Sequence, residues 1–558
     1  MRFGIGRTAP FLPSMRHSLF FPLGLLAVGI VHPAFADVTL PPVIADQMVL
    51  QRDSVVPIWG KADPGEKVTV EFAGQSHAAT ADASGKWMVR LTPLKANADP
   101  AQMLIRGKNR ITLSDVLVGE VWLASGQSNM AFPLGSAHNS AEELPSAGDP
   151  LLRFLTVKAA TSPEPLAESV ASWKASDPNT AKGFSAVAYF FAKELRKTLG
   201  CPVGILHASW GGTGARSWTS IEALKKEPAF TTHIRGWEDA LQAHREVLQH
   251  PQRVEDYKTA LKKWQLEVEP AFKEALKAHA AAGGTGPKPV PSVPEPKNPD
   301  PTGMPSPGAR PNVAAIIFNA MIHPLIPYAI RGTIWYQGEA NASQALEYRT
   351  LLPRLIGDWR ERWGSDFPFL IVQLANWDFE PTKPEWEHQY PLLREAQAMA
   401  LSLPKTGLAT AIDIGNPKDV HPRNKRDVGM RLALTARRVA YGESLVSSGP
   451  VYKEHTIRGG EVRVRFTDTG GGLVIGKAPW LAEGATPVPQ DELLGFIIRG
   501  DQGKWVPAKA RIDGDSVIVS SPEVPAPKAI RYAWANSPRC NLYNQEGLPA
   551  LPFRTDID

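Results

Sequence analysis

Val118-Gly119-Glu120-Val121-Trp122-Leu123-Ala124-Ser125-Gly126-Gln127-Ser128-Asn129-Met130 is an apolar run that stops abruptly at Gly-Gln-Ser-Asn. A buried strand that ends in glycine and then serine presents a hydroxyl at the rim of a parallel sheet, with the backbone amides past the turn aimed at whatever binds there. A serine hydroxyl is a weak nucleophile until a base takes its proton. The remaining sequence therefore has to supply a base and oxyanion donors.

Working outward from Ser128, short apolar runs recur at Val203–Ala208, Thr333–Tyr336, Phe369–Leu374 and Leu408–Ile412, each ending in polar or glycine-rich sequence. Helical spacing lies between some of them: Val187, Phe190, Phe191 and Leu195; Leu352, Leu355, Ile356, Trp359 and Trp363; Val428, Leu432, Thr435 and Val439. Strands alternating with helices predict an α/β fold, a parallel sheet wrapped by helices with ligands at the carboxyl ends of its strands. Ahead of it, Val68, Val70 and Phe72 alternate with polar neighbours, as do Trp87, Val89 and Leu91, which predicts an N-terminal β-sandwich over 37–117. The parallel sheet is expected in two parts, 118–234 and 313–444. Between them, 235–312 reads as a charged helical insertion followed by a Gly- and Pro-rich linker. Alternation returns in 445–558, a C-terminal β-rich domain.

Composition narrows the function. The 558 residues are 43% hydrophobic and 21% charged, ordinary for a globular protein of several domains. Arg2, Arg7 and Arg16, the apolar run Leu19–Val31 and Ala34-Phe35-Ala36 have the layout of a secretory signal peptide over 1–36, so export to the periplasm or the extracellular space is expected. That segment holds three arginines and no acid, and its removal takes the formal charge from +5 to +2. A chain so near neutrality has no electrostatic case for nucleic acid, and no later stretch is apolar enough to span a membrane. Only Cys201 and Cys540 are present, with no zinc spacing, Walker loop or dinucleotide fingerprint, so no metal or cofactor is expected.

Three segments are candidates to converge on Ser128. Ser209-Trp210-Gly211-Gly212-Thr213-Gly214-Ala215-Arg216 follows an apolar strand, and consecutive glycines leave amides such as that of Gly212 unobstructed. Trp335-Tyr336-Gln337-Gly338-Glu339-Ala340-Asn341 offers amide donors and one carboxylate at another strand end. In Asp419-Val420-His421-Pro422, an aspartate two residues before a histidine can reach the ring within a tight turn, fixing its tautomer and stabilising the imidazolium.

Taken together, Gly-Gln-Ser-Asn-Met, Trp-Gly-Gly-Thr, Trp-Tyr-Gln-Gly-Glu-Ala-Asn and Asp-Val-His-Pro resemble the sialate O-acetylesterase group of the SGNH (GDSL-like) hydrolase superfamily. The resemblance extends from Met48-Val49-Leu50-Gln51 to Asn541-Leu542-Tyr543-Asn544 and Gly547-Leu548-Pro549. It implies an SGNH-type three-layer α/β/α parallel-sheet hydrolase domain and metal-free removal of acetyl groups from sugar hydroxyls. It makes Ser128 the nucleophile, His421 the general base and Asp419 its orienting acid. The oxyanion hole would use the Ser128 amide, Gly212 and Asn341, supported by Gln127, Gln337 and Glu339. Two departures stand out. The superfamily spaces its acid as Asp-x-x-His, but Lys418 holds that position here, leaving Glu339 or Asp413 as substitutes for Asp419. The Gly-x-Asn oxyanion pattern is also absent, so Gln337 and Glu339 stay open beside Asn341.

The expected partner is an O-acetylated glycan. Of 16 tryptophans, Trp210, Trp218, Trp335, Trp377 and Trp386 lie near the candidate loops, and Trp210, Trp335 and Trp377 are the expected sugar platforms. Arg216 would suit a sialate carboxylate, whereas neutral xylan or xyloglucan would favour a longer aromatic groove. The competing readings are a non-catalytic carbohydrate-binding protein around a degenerate hydrolase core and a lipid esterase. Intact Ser128, Asp419 and His421 speak against the first. The polar His138-Asn139-Ser140 stretch, where an apolar lid would be wanted, speaks against the second. Oligomeric state is not legible in the sequence.

Overall fold

A computed structural model describes residues 37–282, 286–302, 311–377, 389–479, 482 and 487–556. The expected signal peptide and Trp386 lie outside these residues. The sequence that opens the analysis is the second half of one 17-residue strand, Arg110–Gly126. Its first half pairs antiparallel with Asn97–Arg106, and its second half enters the middle of a mixed sheet. Across that sheet the strands run 406–410, 369–373, 332–336, 110–126, 203–209, 149–156 and 173–176. All are parallel except Trp173–Ser176, an antiparallel edge. No break occurs at 117/118, because the β-rich N-terminal segment and the hydrolase sheet share this strand.

Strand parity shows the three layers. Trp122 and Ser125 are three residues apart in one strand, so their side chains point to opposite faces. Trp122 meets Phe191 edge-on at 5.1 Å and donates its indole N–H to the Tyr441 hydroxyl, which places helices Ala186–Leu199 and Arg426–Val439 on its face. Trp335 is in register with Ser125, and it packs edge-on against Trp359 of helix Ala345–Trp363 on the other face. The helix termini follow from local chemistry. The Ser185 hydroxyl accepts from the Ala188 amide to start one helix, and Gly200 ends it in a left-handed conformation.

Residues 231–281 form three helices, Thr231–Gln249, Gln252–Glu267 and Glu269–Ala281. The described part of the Pro-rich stretch lies back on them: the Trp264 indole donates to the Val293 carbonyl and His244 meets Asp300. The C-terminal strands build two four-stranded sheets around a second apolar core that takes in Ile412, just past the 406–410 strand. Arg394 ties the two cores together. Fully buried, it donates to the carbonyls of Leu374, Ala375, Ala535 and Asn536. Cys201 and Cys540 are both buried free thiols.

Candidate active site

The strand ends at Gly126, which holds φ +139° with its Cα pressed against the Tyr336 backbone; a Cβ there would sit 2.2 Å from the Tyr336 carbonyl oxygen. Only glycine fits. Gln127 then donates its amide to Tyr336, and Ser128 opens a single helical turn, Ser128–Ala131. The first amides of a helical turn have no partner within it, so the Ser128 N–H is free to point at a ligand. The half-buried Ser128 hydroxyl lies 2.8 Å from His421 Nε2 across 293 residues of sequence.

Residues of the 209–214 turn close the site from the neighbouring strand end. Trp210 donates its amide to Gly126, and Gly211 passes so close that a Cβ on it would lie 3.2 Å from the Ser128 Cβ. Thr213 Oγ1 donates to the Trp210 carbonyl and accepts from the Trp218 indole, which locks the turn.

The 337–341 segment is also tied in. The Gln127 side-chain oxygen accepts from the amides of Gly338 and Ala340. Gln337 Nε2 donates to Thr213 and to Asn341 Oδ1, while its Oε1 accepts from Tyr348. Asn341 Oδ1 accepts as well from the Ala215 amide, but Asn341 Nδ2 is buried without a partner. Among the three side chains left open by the sequence, Asn341 thus holds the spare amide donor; both ends of the Gln337 amide are engaged.

Asp419 accepts from the His421 backbone amide at 2.9 Å, and its Oδ1 lies 3.6 Å from His421 Nδ1. The second distance is a charge contact rather than a hydrogen bond. Asp413 is removed as a substitute acid: Arg431 grips both its oxygens at 2.7 and 2.8 Å, and the Tyr543 hydroxyl donates to it. Glu339 is likewise engaged elsewhere, accepting from Asn129 Nδ2.

The family model described as carbohydrate esterase, sialic acid-specific acetylesterase matches residues 317–438. The chain is 37% identical to a structurally characterised carbohydrate acetylesterase from Xanthomonas citri, with a TM-score of 0.73, covering 93% of this chain and 100% of that one. It is 29% identical to mouse (Mus musculus) sialate O-acetylesterase over 92% of this chain and 93% of the relative, and 28% identical to the human (Homo sapiens) enzyme over 91% of each. The chain belongs to the sialate O-acetylesterase family of carbohydrate esterases. Like other members of the family, it is a carboxylic ester hydrolase.

Of the expected sugar contacts, one needs revision and a second is engaged between loops. Trp335 is fully buried between Trp218 and Trp359, at 6.0 and 5.7 Å, so it is core and not a sugar platform. A tryptophan inside a parallel strand is covered on both faces, whatever loop follows it. Arg216 donates from Nε to the Asn312 carbonyl and from Nη1 to the Gln344 side chain, which makes it a tie between loops. Trp210 and Trp377 stay half-buried and present aromatic surface.

Sequence reasoning missed the layer beneath the serine. Asn129 is 1% exposed; its Nδ2 donates to Glu339 Oε1 and to the Val420 carbonyl at 3.0 Å, and its Oδ1 accepts from Lys425 Nζ. Lys425 is fully buried and lies over the Phe132 and Tyr336 rings at 4.8 and 5.4 Å. Burial lowers its ammonium to a pKa of about 7, and burial raises the Glu339 carboxyl above its ordinary value. One asparagine side chain therefore joins a buried acid, a buried base and the residue preceding His421. A lysine following Arg-Asn in a polar stretch carries no sequence signal for such burial.

Proposed function

We propose that the protein hydrolyses O-acetyl esters of glycans through an acetyl-enzyme on Ser128. The observation that carries this reading is the 2.8 Å approach of His421 Nε2 to Ser128 Oγ at a turn with open amides. His421 takes the Ser128 proton as the hydroxyl oxygen attacks the acetyl carbonyl carbon. The tetrahedral oxyanion is held by the amides of Ser128 and Gly212, with Asn341 Nδ2 as the third donor. Collapse breaks the ester bond, and His421 returns the proton to the departing sugar oxygen. Water, deprotonated by His421, then releases acetate and regenerates the serine. Asp419 steadies the imidazolium by charge and holds the His421 backbone.

The substrate class is an acetylated sialoglycan or an acetylated hemicellulose such as xylan or xyloglucan, met outside the cytoplasm after residues 1–36 direct export. Trp210 and Trp377 are the aromatic surfaces that support sugar stacking. The test is acetate release by the mature protein and by Ser128→Ala from O-acetylated sialic acid, acetylated xylan and acetylated xyloglucan oligosaccharides. Serine-dependent release from one class identifies the substrate. Acetate release that persists in Ser128→Ala would overturn the mechanism.

A further inference from the structure

The chain leading to Asp419 and His421 also borders a second compartment. Ile412, Asp413, Gly415 and Pro417, together with Asn376, form one wall of a cleft of about 470 Å³, and the C-terminal β region contributes Lys477, Gln490, Ser537 and Arg539 to the other. Asn376 follows the 369–373 strand and Ile412 follows the 406–410 strand, so the cleft opens at the carboxyl ends of the sheet, the edge where Ser128 stands. Ser128, Gly212 and His421 do not line it. The turn closed by the Asp419 amide on the Asn416 carbonyl adjoins both compartments. The cleft is thus a separate chamber on the sheet edge where Ser128 stands, joined to it through the Asn416–His421 turn, and its volume suits a sugar residue.

Among the described residues its charge is one-sided. Lys477 and Arg539 are exposed, and neither forms an ion pair among the described residues. The recorded contact of Arg539 is a 3.5 Å approach of Nη2 to the Pro487 carbonyl. The carboxylate in the wall, Asp413, is 2% exposed and already matched by Arg431. Polar side chains of Asn376, Gln490 and Ser537 also line it, among apolar residues such as Ile412 and Val488. A neutral sugar would leave both cations unmatched, whereas a sugar carboxylate accepts a forked guanidinium and a lysine ammonium.

We propose that this cleft is a subsite for a carboxylate-bearing sugar neighbouring the acetylated one, recognised by Arg539 and Lys477. The proposal rests on the glycan esterase reading above and specifies the substrate further: an oligosaccharide with an acidic residue beside its acetylated residue.

The test compares kcat and KM on acetylated xylo-oligosaccharides with and without a uronate on the adjacent sugar, and on O-acetylated sialic acid as a free monosaccharide. The mature enzyme, Arg539→Gln, Lys477→Gln, the double variant and Arg539→Lys are measured at low and high salt. The unaltered enzyme should prefer the acidic oligosaccharide. The double variant should reduce the acidic-to-neutral ratio of kcat/KM by on the order of tenfold, through KM, with partial rescue in Arg539→Lys and convergence of all variants at high salt. Both side chains are exposed, so the fold should tolerate these changes; circular dichroism and thermal melting check this. Equal losses on acidic and neutral oligosaccharides would overturn the proposal, as would no preference in the unaltered enzyme. An effect confined to free sialic acid would also overturn it, by placing the carboxylate on the reacting sugar. Absence of serine-dependent release from every glycan would instead defeat the esterase reading beneath it.

Discussion

Ser128 and His421 meet at 2.8 Å but are held in unlike ways. Ser128 stands two residues past the end of a central strand, with Gln127 and Asn129 at 3% and 1% exposure on either side of it. Backbone and side-chain bonds from three strand ends fasten that turn. His421 sits on an open turn where the Asp419 side chain is half exposed. Contacts that hold that turn include the Asn416–Asp419 backbone bond, the Asp419 contact with the His421 amide, and the reach of Asn129 to the Val420 carbonyl. The nucleophile is thus positioned by packing, whereas the base is positioned by polar contacts on a half-exposed turn. Packed interiors allow few alternatives to a side chain, while exposed turns open at low free-energy cost.

The largest expected effects strike both halves equally. Ser128→Ala and His421→Ala should each lower acetate turnover by about 10⁴-fold or more, because nucleophile and base act as a unit. A much smaller loss in His421→Ala, in steady-state kinetics, would show that the turn is not the source of the base. Asp419→Ala should cost less, about 10- to 100-fold, since its Oδ1 lies beyond hydrogen-bond distance of the imidazole. A loss matching that of His421→Ala would mean the open turn is as well ordered as the buried one.

Asn129→Ala attacks the junction between the halves. It leaves Glu339 and Lys425 buried without their bridge and frees the Val420 carbonyl. The expected outcome in urea unfolding is a stability loss of about 3 kcal/mol, in the range for breaking a buried charge network, together with reduced kcat. Unchanged stability with reduced kcat would confine the network to positioning.

The smallest effect concerns pH. Burial drops His207, on the strand beside the serine strand, to a pKa of about 4. Its ordinary value is 6.5, so between these limits the unfolded chain binds a proton that the folded chain refuses. Stability contributed by neutral His207 is therefore complete above pH 6.5 and is lost as pH falls towards 4. His207→Gln should flatten that limb of a urea-midpoint profile while leaving the neutral-pH slope alone. An unaltered acid limb would move the sensitivity to the exposed half.

Much of this was legible in the residues. The runs at 203–208, 333–336, 369–374 and 408–412 coincide with strands to within two residues, because a fully buried parallel strand has to be apolar on both faces. Asp149–Thr156 and Trp173–Ser176 were not singled out: one opens with Asp-Pro and contains Arg153, and the other is four residues long at the sheet edge. Trp335 had the chemistry of a sugar platform and the position of a core residue, and only burial separates the two.

What the sequence by itself determined is local. Gly126 before Ser128, paired glycines at 211–212, and aspartate two residues from histidine specify turns and reactive groups through nearest-neighbour sterics and hydrogen bonding. The tertiary structure decided whatever depends on distant partners. It brought His421 to Ser128, sealed Lys425 under Asn129, gave Asp413 to Arg431 and set Arg539 across a cleft from Pro417. Desolvation and charge pairing are properties of what surrounds a group, and those surroundings come from residues far apart along the chain.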